Sequence, residues 1–236
     1  MMIQTLKLFQ IGLRQITKDG MLIVLLPSPF IIGLIFKFAI PFLNGLTETH
    51  LSFSLSPWYS LADGLLVCLT PMMTALICAF LLLEERDEGI GEFYQVTPVG
   101  DYSYLNARIG IPMIWAFVQL IIVTSLFNLT DLTFGSILTS AVVSTLSSIF
   151  LAMMVVSVAD NRVEGLALSK IMGISLLGLL TVWVIPYPYQ YFASFLPTFW
   201  IGKLITEGVS LLSFGFGFLS CFVWIGLFIQ KFMRRI

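Results

Sequence analysis

The sequence predicts an all-α polytopic membrane protein, with six transmembrane helices behind an N-terminal in-plane amphipathic helix. Two observations carry this. Hydrophobic residues make up 58% of the chain and charged residues only 11%, with a mean hydropathy of +0.99, far outside the range of soluble globular domains. The apolar residues also gather into six stretches of spanning length, and 236 residues leave no room for a soluble domain beside them.

In the first twenty residues, Ile3, Leu6, Phe9, Leu13 and Ile16 recur at helical spacing, while Gln4, Lys7, Gln10, Arg14 and Lys18 fill the other side. Such a helix lies in the headgroup plane. Its interleaved charges do not form the basic cap and apolar run of a secretory leader, so no cleaved signal is expected. Asp19 and Gly20 end it. The first span runs from Met21 to about Phe42, with Pro27 and Pro29 expected to kink it. A polar stretch, Asn44 to Ser60, leads to span two, 61–83, and the longest hydrophilic segment follows, 84–108. Span three covers about 109–127, span four about 132–158, span five about 165–185 and span six about 209–232. Between them lie a turn at Asn128–Asp131, a polar link at Asp160–Glu164 and a Pro- and aromatic-rich stretch at Pro186–Gly208.

Lys7, Arg14, Lys18, Arg86, Arg108, Arg162, Lys170, Lys231, Arg234 and Arg235 fall on one side of this layout, leaving Lys37 and Lys203 elsewhere. Cytoplasmic loops retain Lys and Arg, so both termini are expected inside. Cys68, Cys78 and Cys221 lie in apolar segments and read as buried small side chains.

The sequence excludes several kinds of chemistry. It has one histidine, His50, no H-E-x-x-H, no G-x-S-x-G, and no Cys/His spacing suited to zinc. No metal site and no catalytic residue are expected. No phosphate-binding loop is present, and no ionisable group falls near the middle of a span to bind a coupling ion. Lys37 and Asp63, the charges nearest the apolar spans, sit near their outer ends, where Lys37 is expected to snorkel.

The most specific feature follows span two: Glu84-Glu85-Arg86-Asp87-Glu88-Gly89, a short amphipathic unit with Ile90, Phe93, Tyr94 and Val96, then Thr97-Pro98-Val99. Apolar residues in an acidic frame suit helix-in-groove docking on a partner, and a merely solvated loop is the plain alternative. Here the chain resembles, along its whole length, the permease subunits of ABC transporters of the type-2 exporter class. Those subunits share the in-plane helix, the six spans and a Glu-rich loop after span two, which commonly reads E-[RK]-E-x-G and then a [VT]-[TS]-P-[VL]-like turn. Here it reads EERDEG and then VTPVG. The family also has short re-entrant helices before the last span, and SFLPTFW, Ser194 to Trp200, is similar to its Pro-containing aromatic motif.

The resemblance implies that Glu84 to Val96 is a coupling helix moved by a separate cytoplasmic ABC ATPase. Glu84, Glu85, Arg86, Glu88, Ile90, Phe93 and Tyr94 would form it, with Asp160 and Arg162 in a second contact. It further implies a second permease, identical or related, and ATP with Mg on the partner subunit; no cofactor is expected on this chain. Phe195, Pro197, Phe199 and Trp200 would belong to an outer gate, although an interfacial aromatic belt explains the same residues. Ser136, Ser140, Ser144 and Ser148 repeat every four residues in span four, which suits close helix packing better than a pathway lining. The reading is therefore an exporter subunit of a bacterial cytoplasmic membrane acting on an amphipathic drug, peptide or lipid. The rival is a non-transporting immunity or sensor protein that binds a peptide or partner helix.

Overall fold

The computed structural model describes residues 2–90 and 101–235, which are helical apart from short turns. Helix α1, Met2–Lys18, is followed by α2, Gly20–Leu25, and α3, Ser28–Leu51. A single 3₁₀ turn at Ser56–Trp58 leads into α4, Tyr59–Asp87. Next come α5, Asp101–Leu105, a π-helical turn at Asn106–Gly110, and α6, Ile111–Phe127. Helix α7 is Phe134–Val158, α8 Arg162–Ile174, α9 Leu177–Val184, α10 Pro197–Thr206 and α11 Leu211–Met233. Six helical stretches among the described residues are long and apolar enough to cross a membrane: Gly20–His50, Ser56–Asp87, Ser103–Phe127, Phe134–Val158, Arg162–Val184 and Leu211–Met233.

Spans two and four form the axis of the bundle and are mostly buried, whereas spans one, five and six surround them and expose large apolar side chains. Span six meets span four through Ser213, Gly217 and Cys221, small residues that let the two backbones approach. Around the axis, one core cluster centres on Phe80, Leu83, Phe150 and Val155 near the α1 end. A second, with Val67, Leu120, Leu179 and Leu204, lies toward the opposite end.

The polar residues inside the spans complete broken backbone. Hydrocarbon offers no hydrogen-bond partners, so a carbonyl released by a helix break needs one from the protein. Pro71 has no N–H to give the Val67 carbonyl, and the Ser144 hydroxyl of span four donates to it instead at 2.8 Å. Pro29 releases the Leu25 carbonyl, which accepts from the Ser28 hydroxyl at 2.7 Å. At the Leu26–Pro27 break, the buried Gln119 side chain of span three donates to the Leu26 carbonyl.

Several boundaries differ from the sequence expectation. The first span does not stop near residue 42: its helix continues to Leu51, and the Asn44 side chain binds both Glu48 and the Leu55 amide, folding the polar stretch back on itself. Pro27 and Pro29 interrupt that span between α2 and α3 while Leu26 and Pro27 keep right-handed helical angles. Span five is also two helices, interrupted at Ser175–Leu176, where the Thr198 hydroxyl donates to the Ser175 carbonyl at 2.5 Å. Span three begins several residues before 109, because Ser103 to Gly110 is already helical. The exposed Lys37 ammonium donates to the Leu126 carbonyl at 2.6 Å and caps α6.

The Ser144 bond has a measurable consequence. Replacing Ser144 by Ala should lower unfolding stability in detergent by about 1 kcal/mol. In a Pro71→Ala background, where residue 71 supplies its own N–H, the same replacement should cost little; an unchanged cost would refute the pairing.

Candidate functional site

The charged residues of the chain concentrate at the α1 end, and their contacts build a clamp joining five segments. Glu85, on the last turn of span two, is fully buried, as are Arg108 and Tyr104 at the entry to span three. Arg108 meets both carboxylate oxygens of Glu85: its Nε donates to Oε2 at 2.9 Å and its Nη2 to Oε1. The Tyr104 hydroxyl donates to Oε2 at 2.8 Å, and the third Arg108 donor, Nη1, reaches the Leu8 carbonyl of α1 at 2.8 Å. A two-pronged guanidinium–carboxylate pair is geometrically strict, so it locks spans two and three and α1 in one register.

A second group holds the link between spans four and five. Asn161 caps α8 by accepting from the Glu164 amide, while Glu164 accepts from the Asp160 amide at 2.7 Å, a reciprocal arrangement close to a capping box. The Arg162 side chain binds Asp19 and forms an ion pair with Glu84 at 3.1 Å, and its amide donates to Asp87. Arg86 donates to the Val156 and Ala159 carbonyls and so closes the C-terminal end of span four. Arg235, just beyond span six, pairs with Asp160. Burial pushes the Asp19 carboxyl up, but hydrogen bonds from Arg162 and from the Leu22 and Met21 amides outweigh it and hold the group below its ordinary 3.8. The Arg235 guanidinium, through its hydrogen bond and its charge, likewise holds Asp160 below 3.8.

The residues expected to couple to a partner therefore divide. Glu85 is buried against Arg108 and offers no surface contact, while the part-buried Arg86 is bonded to a helix end. Glu84 and Arg162 are part-buried and face one another. Asp160 and Glu88 are exposed, and Glu88 stands where Gly89, at φ 69°, turns the chain out of the helix. Ile90 is half-buried. Phe93 and Tyr94 lie outside the described residues. Arg108, Tyr104 and Asp19 are the partners that sequence reasoning had not assigned, and a basic residue at the mouth of a span was the available signal.

At the opposite end, α10 lies inside the bundle, packed against spans four, five and six, with Pro197 to Ile205 all buried. Its ten residues reach about 15 Å, too short to span a bilayer. Gly178 of span five makes this seat possible: a Cβ there would lie 2.4 Å from the Thr198 hydroxyl. Phe199 and Trp200 are buried and meet edge-on at 5.1 Å, and Pro197 starts the helix. Phe195 projects outward, more than half exposed, while its carbonyl accepts from Trp224 and Ser220 of span six. Lys203 lies 5.2 Å from the Tyr191 ring centre and pairs with Glu207. Asp63 accepts from the Leu129 and Thr130 amides and caps the turn between spans three and four. Ser136, Ser140, Ser144 and Ser148 are all buried within the subunit. Among the described residues, no group of His, Cys, Asp or Glu could hold a metal ion.

Two outcomes follow from the clamp. Glu85→Ala leaves Arg108 charged and buried and should cost about 3 kcal/mol or more of unfolding stability. The double change Glu85→Ala with Arg108→Met should cost clearly less than Glu85→Ala alone, as a double-mutant cycle would measure. Because Asp19 is held below its ordinary value, its contribution is fully present above 3.8 and disappears as pH falls through its folded value. Thermal melts between pH 6 and 3 should show a smaller acid loss in Asp19→Asn than in the parent protein.

The arrangement is a frame of buried and part-buried charged contacts at one end and a buried short helix at the other. The profile of one protein family, described as fluoroquinolones export permease protein Rv2686c-like, matches residues 12–233. Two relatives, from Mycobacterium tuberculosis strains CDC 1551 / Oshkosh and ATCC 25618 / H37Rv, are named fluoroquinolones export permease proteins MT2760 and Rv2686c. Each is 24% identical over 194 residues, covering 81% of this chain and 77% of the relative. The match spans nearly the whole six-helix bundle, including Glu85, Arg108 and the buried short helix, and the chain belongs to the Rv2686c-like family of export permeases.

Proposed function

We propose that this chain is the transmembrane subunit of an ATP-driven ABC exporter that moves an amphipathic drug of the fluoroquinolone class out of the cytoplasm. ATP and Mg bind a separate subunit, and a second permease completes the pathway. The observation that carries the reading is the membership of an export permease family together with the clamp at the α1 end. Glu84, Arg162 and Asp19 link the end of span two to span five and to the start of span one, and Arg108 links it to span three and α1. A push on the segment beyond Glu88 therefore reaches four spans through charged bonds instead of one flexible loop. The basic residues that take part, Arg86, Arg108, Arg162 and Arg235, share this end with α1, which supports both termini facing the cytoplasm of a bacterial cell.

The mechanism uses the subunit as a lever. Movement of a docked ATPase displaces the segment beginning at Glu88, and the Glu85–Arg108 pair transmits it without stretching. The far end, with α10 and its aromatic cluster, would open when spans four to six shift around it. The exporter reading requires that the chain co-purify with a cytoplasmic ATPase. In the reconstituted complex, Glu88→Gln combined with Phe93→Ala should reduce drug-stimulated ATP hydrolysis by about fivefold or more, while assembly of the membrane subunit is retained. Unchanged stimulation in that variant sinks the coupling role, and a protein that binds its ligand with no ATPase partner favours a sensor or immunity function.

A further inference from the structure

Beneath α1 the subunit encloses a cavity of about 330 Å³ that the export reading does not use. Leu13 and Ile16 of α1 form its roof, Thr74, Cys78 and Leu81 of span two its back wall, and Trp115 of span three its side. From Leu81 to Thr74 is seven residues, about 10 Å of descent along span two, so the cavity is a slot that runs from the interface toward the middle of the apolar layer. Its mouth lies between Leu13 and Trp115, which are part-exposed, and its depth lies at Cys78, which is buried.

The walls determine the kind of occupant. Arg108 borders the slot, but its Nε and Nη2 are committed to Glu85 and its Nη1 to Leu8, so no free charge points inward. An apolar cavity of this size is a poor site for water and a good one for a hydrocarbon. The roof helix adds the second observation. It carries Lys7, Arg14 and Lys18 exposed on its outer face and no acidic residue, and three acids described near its C-terminal end are paired with other cations, Asp19 and Glu84 with Arg162 and Glu85 with Arg108. No ion pair holds these three cations among the described residues, and cations at headgroup level favour an anionic lipid.

We propose that this slot holds one acyl chain of an anionic glycerophospholipid, with the phosphate in the layer of Lys7, Arg14 and Lys18. The bound lipid fills the space between α1 and spans two and three, next to the Glu85–Arg108 pair, and so tightens the clamp. This inference goes beyond the export reading, because binding needs neither an ATPase nor a transported drug.

The test uses the purified full chain in detergent, titrated with phosphatidylglycerol or phosphatidylcholine brominated on the acyl chains, which quench tryptophan on contact. The part of the quenching that disappears in Trp115→Phe isolates the slot. Phosphatidylglycerol should quench Trp115 saturably at a concentration about tenfold or more below phosphatidylcholine. Thr74→Phe, which fills the slot, should abolish that saturable phase. Replacing Lys7, Arg14 and Lys18 together by Gln, all exposed positions that leave the fold intact, should bring the two lipids within about twofold, and this variant decides the matter should Thr74→Phe fail to fold. Equal, unsaturating quenching by both lipids, or quenching unaffected by Thr74→Phe, would overturn the proposal in favour of a general lipid annulus. Displacement of the lipid signal by a fluoroquinolone at matching affinity would overturn it in favour of a drug site.

Discussion

A hydrocarbon layer cannot hydrogen-bond, and that constraint decides where this chain puts its polar side chains. Of the carbonyls that a proline or a helix break frees within a span, three are taken by a side chain on a neighbouring element: Ser144 for Val67, Gln119 for Leu26, Thr198 for Ser175. These bonds do more than satisfy the broken segments. Each runs between different helices, so each break also becomes a joint that fixes which helix lies beside which. The prolines and the polar residues of the spans are two halves of one device.

At the α1 end the same accounting is done with charge. Glu85 and Arg108 lie out of water, and only their two-pronged contact, the Tyr104 hydroxyl and the Leu8 carbonyl make that tolerable. Buried pairs add less net stability than their appearance suggests, because removing each ion from water costs much of what the contact returns. What the pair contributes is geometry. It gives spans two and three one relative position and leaves few alternatives.

The six spans and the amphipathic first helix were legible because hydropathy at spanning length is a signal that tertiary packing does not overrule. The interruptions were less so. Pro27 announced its break, whereas nothing in the apolar run around Ser175 marks one, because that break depends on the approach of Thr198 from residues that lie beyond the span. The acidic segment after span two was visible as a charged cluster, but its division into inward and outward residues was not. Glu85 and Glu88 look alike in sequence, and three residues of helical rotation place the first against Arg108 and leave the second in solvent. The serine stripe shows the reverse: four-residue spacing correctly marks one face of span four, and that face is buried in the subunit.

The unequal burial of the six spans has an evolutionary consequence. Spans two and four hold the core, while spans one, five and six expose most of their surface and are attached through a few small residues and capped carbonyls. Substitutions can accumulate on those outer faces without disturbing the axis, so a lineage can change what the subunit meets in the membrane while keeping how it is built. A relative that shares 24% of its residues over most of the chain is what such an architecture permits.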